Sequence, residues 1–288
     1  MPYLNHLLVL IAVDIVLAAG LNLSFGFTGL LNLGHIAFFG IGAYTSALLT
    51  LAGVPFPIAF LASGCLAALF APLLILITKK TKGDYLALAT LGFGLVLHSI
   101  FLNWLSLTRG PLGIPGIPRP AVFGFVITSR FDFLAFSIVM AALVLFFLHR
   151  LTTSRYGILL GAVRDDERGV AMLGKNVLRL KMESLALAAF LAGIAGSIGA
   201  HYISYIDPSG YDISEVIFIV SVVVVGGLAS LRGTVSAVVL LVLLPELLRF
   251  VSLPSSVLGP ARQLLYAVIL LLVLMYRPRG LFGTVTLE

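Results

Sequence analysis

Apolar residues dominate nine stretches of the chain, at about 4–24, 30–50, 56–78, 84–106, 131–149, 181–203, 214–230, 233–251 and 262–277, and most charges fall between them. A helix needs roughly 20 mostly apolar residues to cross the hydrocarbon core of a bilayer. Only helices or closed barrels satisfy their backbone in lipid, and these runs lack the alternating, roughly ten-residue pattern of barrel strands. The pattern predicts an all-α, polytopic membrane protein: one domain over 1–288 with about nine transmembrane helices, eight to ten allowing for the boundaries.

Composition sharpens this reading. Of 288 residues, 60% are apolar and 10% charged, with a mean hydropathy of +1.14; soluble domains run at about 45–50% and 25%. Too few charges are present to cover a soluble fold, which excludes a cytosolic enzyme and a disordered chain. The net charge of +6 would suggest nucleic acid in a soluble protein, but here the basic residues punctuate apolar runs and report topology. With nine alternating spans, 13 of the 18 Lys and Arg fall on one side: Lys79, Lys80, Lys82, those from Arg150 to Lys181, Arg232, Arg277 and Arg279. Arg109, Arg119, Arg130, Arg249 and Arg262 fall on the other. The asymmetry predicts an N-terminus outside and a C-terminus in the cytoplasm. The start lacks a basic stretch, so no cleavable signal peptide is expected. Cys65 is the sole cysteine, which excludes a disulfide within the chain and a Cys-based metal site.

Two loops carry their own signals. Residues 107–130 hold the Pro- and Gly-rich run Gly110–Pro120, which forbids a regular helix and predicts a structured periplasmic lip. Residues 150–181 mix Arg164, Asp165, Glu167 and Arg168 with Val163, Val170, Ala171 and Leu173, as short amphipathic helices at the cytoplasmic surface would.

Enzymatic motifs are incomplete or absent in the chain. Gly169–Asn176 approaches the phosphate-binding pattern G-x-x-x-x-G-K-[ST], but Asn176 lacks the metal-binding hydroxyl and no strand precedes it, so no nucleotide site is expected. H-E-x-x-H and G-x-S-x-G are absent. His98 reads as a hydrogen-bonded contact between helices, and Asp14 as a carboxylate protonated, paired inside the bundle or lining a polar path. Glu246 and Arg249 read as a local pair, and Gly193, Gly196 and Gly199 as a close-packing stripe. Most informative are two glycine-rich interruptions, Gly26–His35 and Gly226–Gly233, in the first and last thirds of the chain. Paired breaks in apolar segments point to a transporter's path, where interrupted helices expose backbone groups to a polar cavity; tight turns are the alternative.

These segments resemble the permease subunits of high-affinity branched-chain amino acid ABC importers of the LivM type. Five blocks carry the resemblance in the family's order: Gly26–Tyr44, Gly83–Phe93, Gly110–Pro118, Ser154–Gly174, and Val225–Gly233 with the closing Arg277–Phe282. Asn32, Arg109, Leu112, Ile158 and Ala229 depart from the residues usual there. The resemblance implies an ABC importer permease fold with Gly-interrupted helices in a bacterial or archaeal inner membrane. Its partners would be a second permease subunit (a sister chain or a copy of itself), two cytoplasmic ATPases, a periplasmic solute-binding protein and membrane lipid, with no nucleic acid. This chain would be no enzyme and bind no cofactor; ATP and Mg would be used by the ATPases. Asn32, Gly34, His35, Thr90, Phe93, Gly226, Gly227 and Ser230 are expected along the solute path. Arg155, Gly157, Arg164, Asp165, Glu167, Ala171 and Gly174, within the 150–181 coupling segment, are expected to engage the ATPases, with Gly174 ending a helix at positive φ. Branched-chain or other amino acids are the expected solutes, with urea, amides or aromatic acids as the alternative. The rival class is a secondary transporter or channel working without ATP, for which Asp14 alone is thin material.

Overall fold

The structure is a computed structural model and describes residues 2–78, 84–122, 125–246, 255–277 and 279–283. Helix α1 (Pro2–Asn22) runs into a π turn (Leu23–Phe27) and is followed by α2 (His35–Leu51), α3 (Phe56–Thr78) and α4 (Asp84–Asn103). The loop that follows α4 holds α5 (Leu105–Thr108) and the two-residue strands β1 (Ile114–Pro115), β2 (Ala121–Val122) and β3 (Phe125–Val126). Then come α6 (Arg130–Thr152), α7 (Arg155–Asp165), α8 (Glu167–Met172), α9 (Val177–Ile203), β4 (Tyr205–Ile206), α10 (Ile213–Gly226), α11 (Leu231–Leu243) and α12 (Ser255–Tyr276).

All nine apolar runs contain a helix, and among the described residues six helical stretches are long and apolar enough to cross a membrane: Tyr3–Phe27, Phe56–Ile75, Tyr85–Asn103, Arg130–Thr152, Val177–Ile203 and Gly259–Tyr276. The other three are shorter, at 17 residues for α2, 14 for α10 and 13 for α11. At 1.5 Å per residue, α10 is only about 21 Å long. The cause is local: α2 starts late because Thr28–Gly34 forms a loop, and α10 stops at a glycine break that hydropathy alone does not register. Lys79, Lys80, Lys82 and Arg249 lie outside the described residues, so the Glu246–Arg249 pair does too. Glu246 accepts a hydrogen bond from Tyr3 and lies 3.9 Å from Arg262.

Helices α1 and α9 form the buried centre, with α2 and α3 against α9, α6, α10 and α11 against α1, and α12 outermost against α10. The glycine stripe explains the tightest packing. A Cβ added at Gly196 would sit 2.1 Å from the Phe39 carbonyl oxygen on α2, and one at Gly193 would sit 2.6 Å from that of Ser63 on α3. Only a bare backbone allows such approach.

At one end of the bundle β1 pairs with β4 and β2 with β3. Buried His201 fastens this lip: its Nδ1 donates to the Pro118 carbonyl at 2.7 Å, and its Nε2 takes a hydrogen bond from Ser46 at 2.9 Å. At the other end, α7 and α8 lie across α9 and the π turn, burying Leu160, Val163 and Val170.

Candidate functional site

The two interruptions meet at the α7 end of the bundle, and Asn22 joins them. This residue ends α1 with no exposed surface, after the apolar stretch Ile15–Leu21. Its Nδ2 donates to the Ser230 carbonyl at 3.2 Å and to Thr234 Oγ1 at 2.7 Å, while its Oδ1 accepts from the Ala229 N–H at 3.0 Å. One amide thus ties the first break to the second. Gly26 makes the contact sterically possible, since an added Cβ there would fall 2.4 Å from the Ala229 nitrogen. Ala229 itself takes a left-handed φ of 58°, which few non-glycine residues adopt. Thr28 and Ser184 share a 2.6 Å hydrogen bond that ties the end of the π turn to α9.

The chain's closing segment covers the second break. Leu281 and Phe282 donate their N–H groups to the carbonyls of Val225 and Gly226 at 2.8 and 3.1 Å, satisfying acceptors left over at the end of α10. Gly227 sits at φ 102° with its α-carbon against Gly280 and Gly283.

The expected path residues fall into two groups. Asn32, Gly34, Thr90 and Phe93 gather where the first break meets α4: Thr90 Oγ1 accepts from the Leu33 N–H at 3.0 Å, and a Cβ on Gly34 would lie 2.5 Å from the Thr90 carbonyl oxygen and 3.3 Å from the Phe93 ring. Gly226, Gly227 and Ser230 form the second break, where Ser230 caps α11. His35 joins neither group; its Nε2 donates to the Leu17 carbonyl at 3.1 Å on α1. That bond fixes the proton on Nε2 and leaves Nδ1 an acceptor, buried without a partner, as is the Asn32 Nδ2 donor. Next to the first break, a small cavity of about 20 Å³ lies among Leu33, Ile36, His98, Tyr211, Asp212 and Val216. His98 therefore borders a cavity and makes no hydrogen bond among the described residues, contrary to the interhelical contact expected of it. Sequence reasoning missed Asn22, Thr28, Ser184 and Asp212; an amide inside an apolar span was the available signal for Asn22.

The residues expected to engage the ATPases also divide. Arg164, expected to point outward, turns inward. Its Nη1 donates to the Gly26 carbonyl in the π turn at 2.9 Å, its Nε pairs with Asp165 at 2.8 Å, and its stem packs on Gly29, where an added Cβ would fall 2.8 Å from Cγ. Glu167 pairs with Lys181 and so is engaged within the chain. Gly157 is buried against Thr152 and lets α7 fold back on α6. Arg155, Asp165 and Ala171 face outward. So do apolar Ile158, Met172 and Leu173, the last two 85% and 78% exposed. Gly174 follows α8 at φ 73°, in the conformation expected of it. Tyr156 donates to Glu183 at 3.3 Å; burial, and then the Glu183 charge, pushes its hydroxyl up to about 12, so it remains a donor at neutral pH.

A multi-span helical bundle with two broken helices, joined to each other and to a pair of surface helices, defines a membrane permease. The chain belongs to the family described as the permease component of branched-chain amino acid transport systems, whose profile matches residues 3–276. It is similar to the "High-affinity branched-chain amino acid transport system permease protein LivM" of Escherichia coli (strain K12), 33% identical over 292 residues, 93% of this chain and 67% of that protein. The Salmonella typhimurium protein of the same name is 32% identical over 291 residues, again 93% and 67%. A "Probable branched-chain amino acid transport permease protein LivM" of Methanocaldococcus jannaschii is 24% identical over 314 residues, 92% of this chain and 89% of that one. No solved structure matches the chain significantly.

Proposed function

We propose that this chain is the membrane subunit of an ATP-driven importer and carries branched-chain amino acids, delivered by a periplasmic binding protein, into the cytoplasm. Its N-terminus faces outside and its C-terminus the cytoplasm, in keeping with the uneven distribution of Lys and Arg. A second permease subunit completes the path, and two cytoplasmic ATPases, which use ATP and Mg, dock on the 150–181 segment. The exposed Ile158, Met172 and Leu173 give that segment an apolar face of the kind a partner's cleft covers.

The observation that carries the reading is the Arg164–Gly26 hydrogen bond. Through it, the helix offered to the ATPases holds a carbonyl of the first broken segment, and through Asn22 that segment holds the second. Displacing α7 therefore moves both breaks together. The path residues Asn32, Gly34, His35, Thr90, Phe93, Gly226, Gly227 and Ser230 act as the moving gate. The unpartnered Asn32 Nδ2 and His35 Nδ1 mark where a second arrangement would supply partners. The test is uptake of labelled leucine by proteoliposomes holding both permease subunits, the ATPases and the binding protein. ATP-dependent accumulation is expected; urea or amide uptake in place of leucine would overturn the solute assignment.

A further inference from the structure

At the end of the bundle away from α7, a groove of about 590 Å³ opens among Tyr3, His6, Arg119, Arg130, Tyr202 and Ile203. Three membrane spans end in its walls: Tyr3 begins the first, Arg130 begins that of α6, and Ile203 closes that of α9. Those span ends put the groove at the depth of lipid headgroups, where tyrosines are also enriched.

The groove is cationic and unsatisfied. Neither Arg119 nor Arg130 has a carboxylate partner among the described residues. The Nη1 of Arg119 is buried without any hydrogen-bond acceptor, and a guanidinium donor withdrawn from water needs one. Both arginines line the groove with Tyr202, whose hydroxyl meets His6 Nδ1 at 2.9 Å. Of the nearby acids, Glu246 is engaged by Tyr3 and Arg262, and Asp132 lies in the exposed first turn of α6. A planar guanidinium fork matches a phosphate geometrically, and the start of α6 adds partial positive charge.

We propose that this groove binds the phosphate of an anionic phospholipid, with Arg119 and Arg130 on the phosphate and the glycerol and acyl chains running down the lipid-facing side of α6. Phospholipid is the source because the site lies at headgroup depth. The site is independent of the proposed solute path.

The test is native mass spectrometry of the full chain released from nanodiscs, comparing phosphatidylglycerol with phosphatidylcholine. Retention of phosphatidylglycerol over phosphatidylcholine is expected, with a roughly ten- to hundredfold loss of affinity in Arg119→Gln/Arg130→Gln. Should that double variant fail to insert, Arg119→Lys, which keeps the charge but not the fork, is expected to retain less phosphatidylglycerol than the unaltered chain. Equal retention by the unaltered chain and by whichever variant inserts would overturn the proposal. Displacement of the lipid by millimolar inorganic phosphate would instead assign the site to free phosphate. Unchanged lipid retention with loss of binding-protein capture in the variant would assign it to an acidic protein surface.

Discussion

Asn22 concentrates more of this protein's organisation than any of its charged residues. One buried amide donates to the Ser230 carbonyl and Thr234 Oγ1 and accepts from the Ala229 N–H, so Asn22→Leu leaves the Ala229 N–H unpaired, while the Ser230 carbonyl keeps its bonds from Thr234. A loss of about 1–3 kcal/mol is expected, read as a lower Tm in detergent together with reduced uptake. Asn22→Asp keeps the acceptor for Ala229 but sets a buried carboxylate oxygen against the Ser230 carbonyl, and it should cost at least as much as Asn22→Leu. Glycines offer a second comparison at this scale. Gly227→Ala forces a side chain onto φ 102° and into the Gly283 backbone 2.3 Å away, whereas Gly92 has open space around it. Gly227→Ala should abolish folded yield, measured by size-exclusion chromatography, and Gly92→Ala should leave it unchanged.

Elements were legible in the sequence where physics acts over a whole segment, and illegible where a single contact decides. Twenty apolar residues announce a span, and Ser154, Asp166 and Asn176 each cap the helix that follows them. Hydropathy could not place the start of α2, because Leu30, Leu31 and Leu33 are apolar yet lie in a loop. The direction of Arg164 was equally hidden. A cation in a charged cluster reads as solvated until the bare backbone of Gly29 and the free carbonyl of Gly26 are seen beside it. This division predicts two separable defects in the proposed coupling segment. Met172→Asp with Leu173→Asp should release the ATPases from purified permease, because it places charges on the exposed apolar face. Arg164→Gln should leave co-purification of the ATPases intact and uncouple their hydrolysis from uptake. Loss of the ATPases with Arg164→Gln would place its role in docking.

For the whole molecule, the asymmetry of basic residues predicts which end faces the cytoplasm. In a Cys65→Ala background, a cysteine replacing Arg168 on α8 should resist impermeant thiol reagents in intact cells, while one replacing the exposed Leu112 should react. The reverse pattern would invert the topology. Beyond orientation, a permease alone supplies a gated path and no driving force, and the joined breaks make sense as a gate moved from the α7 end. Leucine uptake by the reconstituted complex, measured beside ATP hydrolysis in the unaltered chain and in Arg164→Gln, tests this most directly. The expected result is ATP-dependent uptake by the unaltered complex, with hydrolysis but no uptake in the variant. Uptake driven by an ion gradient without the ATPases, or unchanged coupling in Arg164→Gln, would contradict it.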